Sequence, residues 1–223
     1  MKRIFLLLAI AMLALLSVAC ANDTTSNTTK QAPQIAAKTT YTNSLAGKKI
    51  LVAYFSATNN TKRVAEEIAQ ATGADIYRIE AAQSYSANPY DDKDLIQKEA
   101  YENLRPEVKA PLPASEMAKY DVIFVGSPIW WHQPTMVVCT FLESYDLSGK
   151  TVVPFFTYGA RSYLNESMQR IYKSTPNSVH VPASLPKDIE PDDIQQSQND
   201  DDGIIMLADV GNIDAWLKVL QLK

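Results

Sequence analysis

Beyond residue 47 the chain alternates between two hydrophobic rhythms. Lys49-Ile50-Leu51-Val52-Ala53-Tyr54-Phe55 is an almost unbroken apolar run of strand length, which fits a strand covered on both faces. Thr61 to Thr72 then sets Val64, Ile68 and Ala71 on one helical face and stops at Gly73, where a C-terminal cap belongs. Asp75 to Glu80 alternates as a short strand, and Asp121-Val122-Ile123-Phe124-Val125-Gly126 is a second apolar one. Pro134 is expected to open a helix reaching about Tyr145, because its missing N–H costs little in a first helical turn. Strand over Thr151 to Phe156, helix over Ser162 to Ser174, strand over Ser178 to Pro182 and helix over Asn212 to Leu220 complete the pattern. Apolar strands alternating with helices predict an α/β fold: one doubly wound, three-layer domain over residues 47–223 with a five-stranded parallel sheet.

Two stretches break the rhythm. Residues 81–119 hold a polar helix, about Asp92 to Leu104, followed by a connection through Pro106, Pro111 and Pro113. Residues 183–209 set Asp188, Glu190, Asp192, Asp193, Asp200, Asp201, Asp202 and Asp209 against Lys187 alone. Gln198 to Gly203 with Asp209 loosely follows a calcium loop, but Gln198 takes the first ligand position and no helix pair flanks it, so a solvated acidic loop is the expectation.

The first forty-odd residues follow neither rhythm. Lys2 and Arg3 precede an apolar run from Ile4 to Leu16, thirteen residues long, short for a membrane span and right for a signal peptide. The run ends in Leu16-Ser17-Val18-Ala19-Cys20, which resembles a bacterial lipobox with cleavage before Cys20. The expectation is a signal peptide over 1–19, lipidation at Cys20, and a flexible tether over 20–46 rich in Thr, Asn, Ala, Gln and Lys. The domain would then face the extracytoplasmic side of a bacterial cell envelope, anchored to a membrane.

Composition removes several chemistries. The net charge of −4 over 223 residues loses two positive charges with the leader, giving −6, which offers no basic face for nucleic acid. The seven glycines lie no closer than Gly203 and Gly211, so GxGxxG and GxxxxGK[ST] are absent and with them dinucleotide and P-loop readings. His132, His180 and one thiol beyond Cys20 form no recognisable zinc set, and no G-x-S-x-G elbow exists.

What remains is Ser56-Ala57-Thr58-Asn59-Asn60-Thr61, between the first strand and the first helix. Its hydroxyls and amides sit at a helix N-terminus, where unpaired N–H groups and the helix dipole favour a phosphate. Read alone, it is either an anion cradle or a polar cap without a ligand.

With the preceding strand, this segment resembles the start of a flavodoxin, whose phosphate loop reads [ST]-x-T-G-x-T. Asn59 stands where that family carries Gly, and Asn is the residue that best tolerates positive φ in its place. Gly126-Ser127-Pro128-Ile129-Trp130-Trp131-His132 is similar to the G-x-P-I-W-W-G loop of a bacterial flavodoxin-like family, with His132 in place of the last Gly. Tyr85, Pro89-Tyr90 and Arg105-Pro106 also resemble it. The resemblance implies strand order 2-1-3-4-5 and FMN bound outside the ends of strands one and three, the arrangement for which flavodoxin is the general example. It implies that Ser56, Thr58, Asn59, Asn60 and Thr61 hold the phosphate. Pro128, Ile129, Trp130, Trp131 and His132 would wrap the flavin ring, and Thr157, Tyr158 and Gly159 would close the far side, with Arg161 nearby. No side chain is required as acid or base, so no catalytic residue and no metal are expected. The partners implied are FMN and a redox protein or quinone. Three functions fit: an FMN electron carrier on a membrane, an FMN-dependent reductase of quinones, or a binding lipoprotein that keeps the fold without the flavin.

Overall fold

The computed structural model describes residues 44–158, 163–182, 204–205 and 213–223. Cys20, Gly159, Arg161 and nearly all of the acidic stretch lie outside the described residues. The chain order is β1 (Ile50–Tyr54), α1 (Asn60–Thr72), β2 (Asp75–Arg78), α2 (Lys93–Tyr101), α3 (Ala114–Met117), β3 (Val122–Trp130), β4 (Gln133–Pro134), α4 (Met136–Glu143), β5 (Thr151–Thr157), α5 (Leu164–Ser174), β6 (Val179–His180), β7 (Ile204–Ile205) and α6 (Ile213–Val219).

Five strands pair in parallel in the order β2-β1-β3-β5-β6, as expected for a doubly wound sheet of order 2-1-3-4-5. The two-residue strands β4 and β7 join antiparallel to β3 and β5. The central strands are apolar over Ile50–Phe55, Val122–Val125 and Val152–Phe156 because each face has its own core. Leu51, Ala53 and Phe55 face one core, while Ile50, Val52 and Tyr54 face the other. β3 divides likewise into Ile123 and Val125 against Val122 and Phe124, and β5 into Val152 and Phe156 against Val153 and Phe155. α4 and α5 cover the first core with Val137, Val138, Phe141, Leu142, Leu164, Met168 and Ile171. α1 and α6 cover the second with Val64, Ala65, Ile68, Ile213, Trp216 and Leu217. Burying side chains of this size contributes about 1.5–3 kcal/mol each, so the layers lock where the strand ends need to be fixed.

Gly126 has a packing reason. A Cβ there would lie 2.2 Å from Cζ of the buried Phe155 ring, so only glycine lets β3 and β5 approach in this register.

Two expectations are corrected. Pro134 does not open a helix: it pairs with Ile129 in β4, and α4 begins two residues later after Thr135. An edge strand tolerates the missing proline N–H as readily as a first helical turn does, so Pro134 alone cannot decide between them. The segment Ser127-Pro128-Ile129-Trp130 is likewise not loop. β3 continues through it, with Ser127 opposite Phe156 and Pro128 opposite Thr157.

The excursion between β2 and β3 is pinned at its base, where Ala81 bridges Val108, Ala82 N–H donates to the Glu107 carbonyl and Lys109 N–H to the Glu80 carbonyl. Just before the chain returns to that base, Arg105 donates to both carboxylate oxygens of Glu143 on α4 at 2.5 and 2.8 Å. Arg105 and Arg170 of α5 both donate to the side-chain oxygen of Asn103. The segment that follows α2 is therefore tied to α4 and α5.

Candidate ligand site

The loop after β1 is built as the helix-terminus chemistry requires. Asn59 takes the left-handed conformation with φ 69°, the one substitution that keeps a glycine-like turn at modest strain, and its carbonyl accepts the Arg63 N–H to start α1. Asn59 caps with its backbone only; its side chain makes no capping bond. Arg78 holds the loop from β2 by donating to the Ser56 carbonyl at 3.0 Å. Thr58 and Asn59 are exposed and Asn60 half-buried, whereas Ser56 and Thr61 are buried. Ser56 is 2% exposed, and its hydroxyl has no hydrogen-bond partner among the described residues. Thr61 and Thr157 share a hydroxyl–hydroxyl bond of 2.8 Å, which ties this loop to the end of β5.

The second segment turns back on itself. Trp131 and His132 form a two-residue turn between the paired residues Trp130 and Gln133, with φ 47° and 68°. Positive φ at both central residues is the pattern of a type I′ hairpin turn, which normally takes Asn-Gly. Neither Trp nor His is at ease there, and aromatic contacts hold them. His132 stacks on Tyr163 with centroids 3.6 Å apart and planes 13° from parallel, and Tyr101 meets its edge at 6.5 Å. Trp131 meets Tyr90 at 6.1 Å. Ser127 anchors the underside, accepting the Thr135 N–H at 2.9 Å.

The two tryptophans do not form one wall. Trp130 packs inward, edge-to-face with Phe55 at 5.5 Å and with Tyr85 at 5.6 Å, while Trp131 sits at the outer rim beside the 73% exposed Tyr90. The strand period explains the split, because successive residues point to opposite sides until the turn intervenes.

At the end of β5, Thr157 shares its hydroxyl bond with Thr61 and pairs with Pro128. The Tyr158 ring is buried in the core cluster that holds Leu164 and Phe156. Gly159 lies outside the described residues. The structure thus gathers Ser56, Thr61, Thr157, Pro128, Ile129 and Trp130 at the carboxyl ends of three neighbouring strands, with Trp131 and His132 at the rim.

Sequence reasoning missed Glu99 on α2. It is 6% exposed and accepts the Tyr85 hydroxyl at 2.7 Å. Burial raises its pKa above the usual carboxylate range, opposed by the Tyr85 bond, and burial also raises the tyrosine's. The signal was present: Ile96, Glu99 and Ala100 share one helical face, so an acid stands among apolar residues. Glu143 behaves oppositely, its pKa lowered by the Arg105 hydrogen bond. Cys139, on the buried face of α4, has its thiol pushed up to about 11, chiefly by burial, which leaves it unreactive at neutral pH.

Comparison with known proteins agrees with this geometry. No curated protein matches the chain. Among solved structures, a protein from Bacteroides eggerthii assigned as a flavoprotein is 32% identical, covering 79% of this chain and 99% of its own, with a TM-score of 0.56. Another so assigned, from Bacteroides uniformis, is 34% identical over 60% of this chain and 86% of its own, TM-score 0.53. A Lactobacillus acidophilus flavoprotein, solved in complex with FMN, shares the fold at 23% identity, covering 60% of this chain and 90% of its own, TM-score 0.51. The family model for flavodoxin matches residues 49–197, spanning β1 to beyond β6, and the chain belongs to the flavodoxin family.

Proposed function

We propose that this flavodoxin binds FMN at the ends of β1, β3 and β5 and serves as an electron carrier held at a bacterial membrane through an acylated Cys20. The observation that carries the cofactor reading is the Ser56 hydroxyl. A hydroxyl buried without a partner costs about 1–3 kcal/mol, a debt a phosphate oxygen at the α1 N-terminus would cancel by accepting its proton. Left-handed Asn59 supports the same reading, since it turns the loop as a phosphate cradle requires. Of the Thr61–Thr157 pair, one hydroxyl donates to the other and the acceptor keeps its own O–H to offer.

Bound FMN would supply the electron uptake and release; the protein binds, orients and shields it. Ser56, Thr61 and the N-terminal amides of α1 take the phosphate. Trp130, backed by Phe55 and Tyr85, offers an aromatic surface to the ring, and the Trp131–His132 turn forms the rim. A second reading, reduction of quinones, is favoured by the exposed aromatic Tyr90 against Trp131, where a planar acceptor finds a stacking partner. Turnover of a quinone with NADPH by the purified protein would select it over the carrier.

The test is reconstitution of the full chain with FMN, then desalting. A retained yellow flavin spectrum, weakened by Thr58→Ala and by Trp130→Ala, is expected; a colourless protein would return the fold to a flavin-less binding role. For the tether, labelling by palmitate that disappears in Cys20→Ser is expected, and labelling that persists would place the anchor elsewhere.

A further inference from the structure

Glu99 is out of place on its helix face. Ile96 and Ala100 beside it are buried because that face of α2 packs inward, and a leucine would suit the position better than a carboxyl. The hydrogen bond from Tyr85 is what compensates it. The same tyrosine is held at its ring: it meets Trp130 edge-to-face at 5.6 Å and 80°, and Phe55 at 5.5 Å and 85°. Phe55 and Trp130 meet each other at 5.5 Å and 80°, so the three rings are mutually perpendicular. Edge-to-face packing depends on ring plane, because the positive edge of one ring must meet the negative face of the next. A tyrosine fixed at both hydroxyl and ring has one orientation, and its neighbours inherit it.

We infer that Glu99 is a positioning residue for the cofactor wall: by accepting the Tyr85 hydroxyl it sets the plane of Tyr85 and, through it, that of Trp130. This rests on the FMN reading above only for its consequence in affinity; the coupling of Glu99 to Trp130 stands on the protein's own contacts. A packing role alone does not account for a carboxyl where an apolar side chain fits, whereas an acceptor for Tyr85 does.

The experiment compares the full chain with its Glu99→Leu, Glu99→Gln and Tyr85→Phe variants, Trp130→Phe serving to identify the Trp130 part of the near-UV circular dichroism. Two quantities are read: that dichroism without flavin, and the Kd for FMN. Leucine removes the acceptor, Tyr85→Phe removes the donor with the smallest possible change, and glutamine keeps an acceptor oxygen without the charge. Glu99→Leu and Tyr85→Phe are expected to lose the Trp130 signal and to weaken FMN binding about tenfold, one hydrogen bond's worth, while Glu99→Gln keeps both within about twofold. Wild-type dichroism and Kd in Glu99→Leu and Tyr85→Phe would overturn the inference, as would a glutamine variant as impaired as the leucine one, since charge and not acceptance would then be at work. Should the wild-type chain hold no FMN, the cofactor reading falls, and the dichroism decides alone. Loss in Tyr85→Phe with retention in Glu99→Gln upholds the coupling, and no change in Tyr85→Phe defeats it.

Discussion

The two halves of the proposed site are built from opposite materials. The phosphate half is a six-residue loop next to a helix: its working groups are main-chain amides and two buried hydroxyls, and one left-handed asparagine makes the turn. The ring half is a glycine-less turn whose two left-handed residues, Trp131 and His132, are held by Tyr90, Tyr101 and Tyr163 from distant segments. An anion can be recognised by a local motif because helix ends supply the same donors in every protein. A flat ring needs surfaces assembled from several elements, so its recognition is a tertiary property.

That contrast is broken most strongly at Trp130, which belongs to the ring half but is also core. Trp130→Ala strips both edge-to-face contacts and opens a cavity, so a loss of about 2–4 kcal/mol in urea unfolding is expected along with weakened FMN binding. Ser56→Ala is the complementary case. It should weaken FMN binding about tenfold or more, as loss of a bond to a charged group does, yet leave the stability of the flavin-free protein unchanged or slightly higher, because a partnerless buried hydroxyl disappears. Equal damage to stability from both would mean the two halves are not distinct in kind.

The turn itself sharpens the comparison further. Tyr163→Ala leaves the strain at His132 and removes its stack, and should cost about 1 kcal/mol. His132→Gly removes strain and stack together and should lie closer to neutral, as thermal denaturation of the two variants would reveal.

The smallest effect expected comes from two glutamates, Glu99 within the excursion and Glu143 on α4, which braces it. Glu99 has a raised native pKa, so its contribution is present below the ordinary glutamate value and lost as pH rises through the native one. Glu99→Gln should therefore gain on wild type as the pH is raised from acid to neutral. Glu143 has a lowered pKa from Arg105, so its contribution is present above the ordinary value and lost as pH falls through the native one. Glu143→Gln should trail wild type at pH 7 and catch up in acid, by less than about 1 kcal/mol because the pair is partly exposed. Unfolding free energies across that pH range would show the two curves diverging in opposite senses.

How far each half was legible follows from the same physics. The strand order followed from the flavodoxin resemblance, and the two-sided core was readable because Ile50–Phe55, Val122–Val125 and Val152–Phe156 are apolar at every position. The left-handed turn at Asn59 was readable from one residue type in a known pattern. The continuation of β3 to Trp130 was not, because Pro128 reads as a strand breaker until an opposing strand end is known. Nor was the parting of Trp130 from Trp131, which depends on the turn that follows, or the burial of Tyr158, which depends on α5 packing above it. Glu99 could have been noticed from its helix face, but its partner Tyr85 lies fourteen residues away across an irregular loop.

The most direct measurement is the affinity of the full chain for FMN against riboflavin, which carries the same ring without the phosphate. If the loop at Ser56–Thr61 holds the phosphate, FMN binds at least about a hundredfold more tightly, the worth of two hydrogen bonds to a charged group, and Ser56→Ala narrows the gap while leaving riboflavin untouched. Equal affinity for the two, or a gap that Ser56→Ala does not change, would contradict the account, for the loop would then be a polar cap and nothing more.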